Sequence, residues 1–179
     1  MWFSPIEIFN RVYDNLSKTL VVIDFLKRKV LEGEAFVVSR RFIDVGQDEV
    51  ASLIIENPAD SGKSLRIEKV EIDTFARAHV DIYRGSDVTT GGNALEPVNL
   101  NGGSSNTSVA QAEYGGTYSG GTLVYDRVHA GGSGVRAFGS SSSFGEEIIV
   151  PENSSLLVTV TNKDTSDSDI SIVVTWVEE

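Results

Sequence analysis

The sequence predicts an all-β protein: a two-sheet antiparallel sandwich, a single jelly roll of about eight strands, preceded by one long N-terminal α-helix. Three observations predict it. From residue 35 onward hydrophobic side chains recur with period two, the spacing at which one face of a strand is buried. Turn-forming clusters such as Asn57-Pro58-Ala59-Asp60-Ser61-Gly62 and Asn162-Lys163-Asp164 separate these runs. A helical period is confined to residues 4–32, so nothing supplies the crossover helices that a parallel α/β sheet needs.

The first element is the helix. Ser4 with Glu7 forms a capping-box pair, and Pro5 falls at the first helical position, where its missing N–H costs nothing. Phe9, Leu16, Ile23 and Val30 recur every seven residues, with Tyr13, Leu20 and Leu26 on the same side. Lys27, Arg28 and Lys29 suit the C-terminal end of the dipole, and Gly33 offers a stop. At 1.5 Å per residue such a helix runs about 40 Å. Two readings stay open: a helix lying across its own sheet, or an arm whose stripe is buried by other subunits. Val21, Val22 and Phe25 broaden the apolar face beyond a single seam. A lipid-surface role is a third, opposed by Asp14, Asp24 and Glu32 on the face that would be basic. The chain thus divides into an assembly arm, residues 1–33, and a sandwich, residues 34–179.

The strands follow at 35–42, 49–56, 65–75, 78–84, 122–128, 146–150, 155–161 and 169–177. The last is the clearest, with Ile170, Ile172, Val174 and Trp176 alternating against Ser171, Val173, Thr175 and Val177. Within 65–75 the phase slips: Leu65 and Ile67 are odd, Val70 and Ile72 even. Such a slip marks a bulge or a bend. Three stretches poor in apolar residues interrupt the pattern: 101–106, 115–121 and 131–145. Each alone is a solvent-exposed connection; together they suggest surfaces that adapt to neighbours.

Composition narrows the chemistry. Fifteen Lys+Arg against 26 Asp+Glu gives a net charge of −11, which repels phosphate and argues against a direct nucleic-acid partner. Without cysteine there is no disulfide, thiolate metal site or cysteine nucleophile. The longest continuous apolar run, Leu20-Val21-Val22-Ile23, ends at Asp24, far short of the ~20 residues that span a bilayer. Met1-Trp2-Phe3-Ser4-Pro5 does not read as the start of a secretory signal.

A hydrolytic triad would have to use His79 or His129, the only imidazoles. His79 shares the polar face of its strand with Asp81 and Tyr83; His129 sits at a strand end. Surface strands explain both, and no Gly-x-Ser-x-Gly elbow is present. The oxygen-rich run Asp164-Thr165-Ser166-Asp167-Ser168-Asp169 gives a weak calcium candidate in Asp164, Asp167 and Asp169. It lacks the glycine and closing glutamate of an EF-hand loop, and a polar hairpin explains it better. Glu68 with Glu71, and Glu146 with Glu147, are acid pairs that nothing singles out for glycoside hydrolysis. The loop tips carry only Tyr114, Tyr118, Phe138 and Phe144, a thin supply of the flat platforms that carbohydrate recognition uses. The expectation is no enzymatic activity and no cofactor.

Residues 35–176 resemble small β-sandwich virion proteins of bacterial and archaeal viruses. The likeness runs through Phe36-Val37-Val38-Ser39-Arg40-Arg41-Phe42, Leu53-Ile54-Ile55-Glu56-Asn57-Pro58, Ser61-Gly62-Lys63-Ser64-Leu65 and Val80-Asp81-Ile82-Tyr83-Arg84-Gly85. It continues through residues 91–101, Ile148-Ile149-Val150-Pro151-Glu152-Asn153-Ser154 and Val173-Val174-Thr175-Trp176. In size, acidity and single sandwich the chain is similar to the small single-jelly-roll capsid proteins of halophilic archaeal icosahedral viruses with an internal membrane. Those proteins assemble into pseudo-hexameric capsomers around the membrane. The resemblance implies a structural virion protein whose partners are copies of itself and other virion proteins, as a homo- or hetero-oligomer with membrane contact open. Phe9, Tyr13, Leu16, Leu20, Ile23 and Val30 would form its assembly interface. The rival reading is a receptor- or carbohydrate-binding module of a viral tail or fibre.

Overall fold

The computed structural model describes residues 24–131 and 148–179. Of the stripe expected to carry assembly, Phe9, Tyr13, Leu16, Leu20 and Ile23 lie outside the described residues. Val30 lies within them, half-buried in helix α1, Phe25–Glu32. This helix is capped at its N-terminus by Asp24, whose extended backbone (φ −55°, ψ 142°) stands outside it. The Asp24 carboxylate accepts from the Leu26 N–H (3.1 Å) and the Lys27 N–H (3.5 Å), satisfying donors that the first turn leaves without partners. At the other end Gly33 adopts the left-handed conformation (φ 73°) expected of the stop, and its N–H donates to Val30 (3.0 Å).

Eleven strands follow: β1 Ala35–Val45, β2 Val50–Asn57, β3 Leu65–Thr74, β4 Ala78–Thr90, β5 Asn93–Leu95, β6 Val98–Asn99, β7 Gln111–Tyr114, β8 Thr117–His129, β9 Ile148–Val150, β10 Ser154–Asn162 and β11 Ser168–Glu178. They form two antiparallel sheets, ordered β6-β1-β11-β3-β9 and β5-β7-β2-β10-β4-β8. The two halves of the chain pair in mirrored order: β1 with β11, β2 with β10, β3 with β9 and β4 with β8. Each of the eight expected strands has a counterpart, although residues 146 and 147 of the sixth lie outside the described residues. The additional β5, β6 and β7 are four residues or shorter, too short for an alternation to show in the sequence.

The core lies between the sheets. Phe36, Val70, Ile72, Val174 and Trp176 from one meet Leu53, Ile55, Val80, Ile82, Leu156 and Val158 from the other. Phe36 and Trp176 stack at 6.2 Å between ring centroids. At about 1.5–3 kcal/mol per fully buried large apolar side chain, this layer is the main source of stability. The expected phase slip in β3 is a bulge: Lys69 opposes Thr175 and Ile67 opposes Trp176, leaving Glu68 as the extra residue. It returns Leu65, Ile67, Val70 and Ile72 to one buried face despite their change of parity.

Glu178, at the end of β11, is 1% exposed. Its Oε1 accepts from the Ser108 hydroxyl, the Val109 N–H (3.0 Å) and Trp176 Nε1 (3.4 Å), and its Oε2 lies 3.4 Å from Lys63 Nζ. A buried carboxylate held this way pins the connection ahead of β7 to the two-sheet core.

The stretch 101–106, read from sequence as an adaptable loop, has a definite structural task. Asn101 Nδ2 donates to the Leu31 carbonyl (3.2 Å), and Asn99 and Asn106 donate to that of Gly33 (3.0 and 3.2 Å). These are the carbonyls that a helix end leaves without donors, so the asparagines finish α1 and tie it to the sandwich. The α1 face that carries Phe25 turns to the sheet, where the Arg66 guanidinium of β3 sits 4.1 Å from the ring centroid.

Candidate functional site

The outward face of the six-stranded sheet holds the described residues' most distinctive polar surface, and register alone lays it out. Rows cross the strands in the order β2, β10, β4, β8. Val50, Thr161, His79 and Val128 form the first; Ser52, Thr159, Asp81 and Asp126 the second; Ile54, Leu157, Tyr83 and Leu123 the third. The polar face shared by His79, Asp81 and Tyr83, expected from alternation with Val80 and Ile82, is therefore real.

Part of this face is roofed by the chain itself. β7 borders β2 and β8 borders β4, with β2, β10 and β4 between them. Only Gly115 and Gly116 separate the ends of β7 and β8, while neighbouring strands lie about 4.8 Å apart. The start of β8, paired with the far end of β4, must therefore pass over the outer face. That arch pairs Ser86 with Gly120, Asp87 with Ser119 and Val88 with Tyr118. Beneath it, outward-facing Ile54 and Leu157 are buried. The glycine-rich stretch 115–121, read from sequence as a third loop, is thus strand from Thr117 on. Its glycines bend the ribbon: Gly120 and Gly121 have φ of 69° and 86°, opposite Gly85 at 72°.

Between arch and sheet runs a groove of about 570 Å³, lined by Ser52, Asp81, Tyr83, Tyr118, Thr159 and Thr161, with Gly115–Gly120 as one wall. Tyr118 is fixed across it, its Oη accepting from the Gly116 N–H (3.1 Å), and Gly115 N–H donates to the Ser52 carbonyl (3.1 Å). The Thr159 hydroxyl donates to the Asp81 carbonyl at 3.4 Å. Burial pushes the Tyr118 hydroxyl above its ordinary range, and burial together with the charges of Asp81 and Asp126 does the same to Tyr83.

Asp81 and Asp126 stand directly opposite one another on β4 and β8. Burial, then the neighbouring Asp126 charge, raises the Asp81 pKa from its ordinary 3.8; His79 opposes the shift. The folded state therefore binds a proton more tightly than the unfolded chain, and the site loses stability as pH rises above 3.8. Asp81→Asn removes the like-charge pair and is expected to stabilise the protein by about 0.5 kcal/mol at pH 7. Thermal melts from pH 4 to pH 7 check this. The gain should shrink toward the acid end, and a variant gain that grows on acidification would contradict the assignment.

The other expected sites lie elsewhere. In the β10–β11 loop Asp164 Oδ1 accepts from the Thr165 N–H (3.0 Å), while Asp169 Oδ1 accepts from the Asp44 N–H (3.2 Å). Asp167 approaches Gly46 instead. Among the described residues, no three His, Asp or Glu side chains gather in a metal-binding arrangement. His129 Nδ1 accepts from the Gly131 N–H at 3.3 Å. Tyr114 is not a free loop-tip platform: the Arg40 guanidinium covers its ring at 4.0 Å and Phe42 meets its edge. Ser52 and Thr159 join the groove, and Asp126 comes to stand opposite Asp81, by cross-strand register, which no single strand's sequence reveals. No helix among the described residues is long and apolar enough to cross a membrane. No protein-family model matches the chain, and no curated protein matches its sequence.

Proposed function

We propose that the protein is a structural subunit of a virus particle, a capsid component that assembles with copies of itself, and that its sandwich is a single jelly roll. The mirrored pairing of β1 with β11, β2 with β10, β3 with β9 and β4 with β8 supports the fold reading: it is the wiring of one long hairpin rolled into two sheets. A fold alone carries no function, so the assembly reading rests on β8.

Among the described residues, three of the four sheet edges are blunt, formed by strands of three, two and three residues, β5, β6 and β9. The fourth, β8, is 13 residues long, and no strand pairs with its outer side among the described residues. It also exposes Leu123, Val124 and Val128 at 46%, 40% and 54%. A long edge that exposes apolar side chains, here beside the opposite charges of Asp126 and Arg127, is a template for pairing with another chain, which monomeric proteins suppress by shortening or more heavily charging it. The partner that fits is a second copy of this chain. The resemblance in residues 35–176 to jelly-roll virion proteins agrees with this reading.

Sedimentation of the full chain at about 50 μM is expected to show a closed oligomer. Placing lysine at Leu123 and Val128 charges the edge and should release folded monomers. A wild-type protein that sediments as a monomer across this range, or a lysine variant with an unchanged oligomer, overturns the proposal.

A further inference from the structure

We propose that the groove under the β4–β8 arch is a binding site for a neutral saccharide, a ligand the assembly reading neither requires nor supplies. Its chemistry argues for a polyhydroxylated, uncharged occupant. Ser52, Thr159 and Thr161 on the floor and Thr117 and Ser119 on the arch bring hydroxyl groups, which both donate and accept. Such groups match sugar hydroxyls, which do the same. The Thr159 proton is directed to the Asp81 carbonyl, so its oxygen is left to accept from a ligand. Tyr83 from the sheet and Tyr118 from the arch add aromatic surface for the apolar C–H faces of a sugar ring.

Other ligand classes fit less well. No lysine or arginine lines the groove while the Asp81 carboxylate does, so phosphate, sulfate and carboxylate ligands meet repulsion. A purely apolar ligand would strip water from five side-chain hydroxyls without replacing their hydrogen bonds. The volume, about 570 Å³, lies within the range of small-ligand sites. The groove is also built in advance. Gly116 anchors the Tyr118 hydroxyl, Gly115 anchors the arch to Ser52, and Ser155 Oγ donates to the Ser86 carbonyl at 2.7 Å beneath it. Little ordering remains for a ligand to impose.

The test uses the full chain on a printed panel of neutral, sialylated and sulfated oligosaccharides. The best-bound neutral member is then titrated calorimetrically against the wild type, Thr159→Val and Thr161→Trp. Thr159→Val keeps the shape and removes one hydroxyl, so it should weaken binding about three- to tenfold. Thr161→Trp adds a ring on the outward face and should weaken binding about tenfold or more by occupying the groove. Ser119→Trp, on the exposed arch, blocks the same space from the opposite wall and replaces Thr161→Trp should that variant melt early. Three results overturn the assignment: no neutral oligosaccharide bound, binding confined to charged glycans, or folded variants whose affinity equals that of the wild type.

Discussion

Replacing Glu178 with alanine is expected to destabilise the protein by about 3 kcal/mol, the combined effect of several buried donors losing one acceptor. In the native fold the 1%-exposed carboxylate collects the Ser108 hydroxyl, the Val109 N–H and Trp176 Nε1 on one oxygen and faces Lys63 with the other. Alanine leaves those donors without that acceptor beside the largest core side chain and opens a cavity next to it. For a chain of this size the loss is a drop in Tm of roughly 6–12 °C. Two companion variants separate the contributions. Glu178→Gln keeps one acceptor oxygen for the three donors but turns an amide N–H toward the Lys63 ammonium, so it should cost about 1–2 kcal/mol, less than alanine. Lys63→Ala should cost less than Glu178→Ala, because the Lys63 side chain is 37% exposed and water screens the pair. A Glu178→Ala variant that melts within 2 °C of the wild type would show that the buried network does not hold the sandwich together.

How legible was this fold beforehand? The strands that bury a face were legible because their alternation records burial directly. Ile170, Ile172, Val174 and Trp176 announce β11, and the parity change between Ile67 and Val70 announces the Glu68 bulge. Gly33 and the end of α1 were legible for the same reason, that a left-handed stop leaves a local mark. What local pattern cannot carry is partnership. Asp81 reads as a surface acid until β8 brings Asp126 opposite it, and Ser52 and Thr159 become neighbours only through β2–β10 register. Glu178 reads as one of two terminal acids, although it is the most tightly bonded buried charge described.

The glycine stretches show the same limit from the other side. Small residues carry no burial pattern and so read as loops, yet in 117–121 they are strand that must bend sharply. The three asparagines at 99, 101 and 106 likewise look like turn residues and act as a cap for a helix end remote in sequence. Composition registered that these segments were unusual, and only the fold assigns them work.

Gly121 makes the point measurable. Its φ of 86° lies where residues with a side chain are strained, and a Cβ there would stand 2.4 Å from Ser86 Oγ and 3.1 Å from the Ser86 nitrogen. Ser86 is 4% exposed and donates to the Gly120 carbonyl at 3.3 Å, so it has little room to retreat. Gly121→Ala should therefore cost about 2–3 kcal/mol, partly left-handed strain and partly overpacking. Gly62→Ala is the control: φ is 70°, yet nothing lies within 4 Å of the added Cβ. It pays the conformational strain alone, about 1 kcal/mol. Chemical denaturation of both variants isolates the close approach as the difference between them. If the arch is what shapes the outer face, Gly121→Ala should also expose Ile54 and Leu157 and raise the denaturation baseline toward dye-binding states, whereas Gly62→Ala should leave that face intact. Equal losses in the two variants would mean that the ribbon gives way at Gly121 freely, and the arch would then be no fixed wall for any ligand.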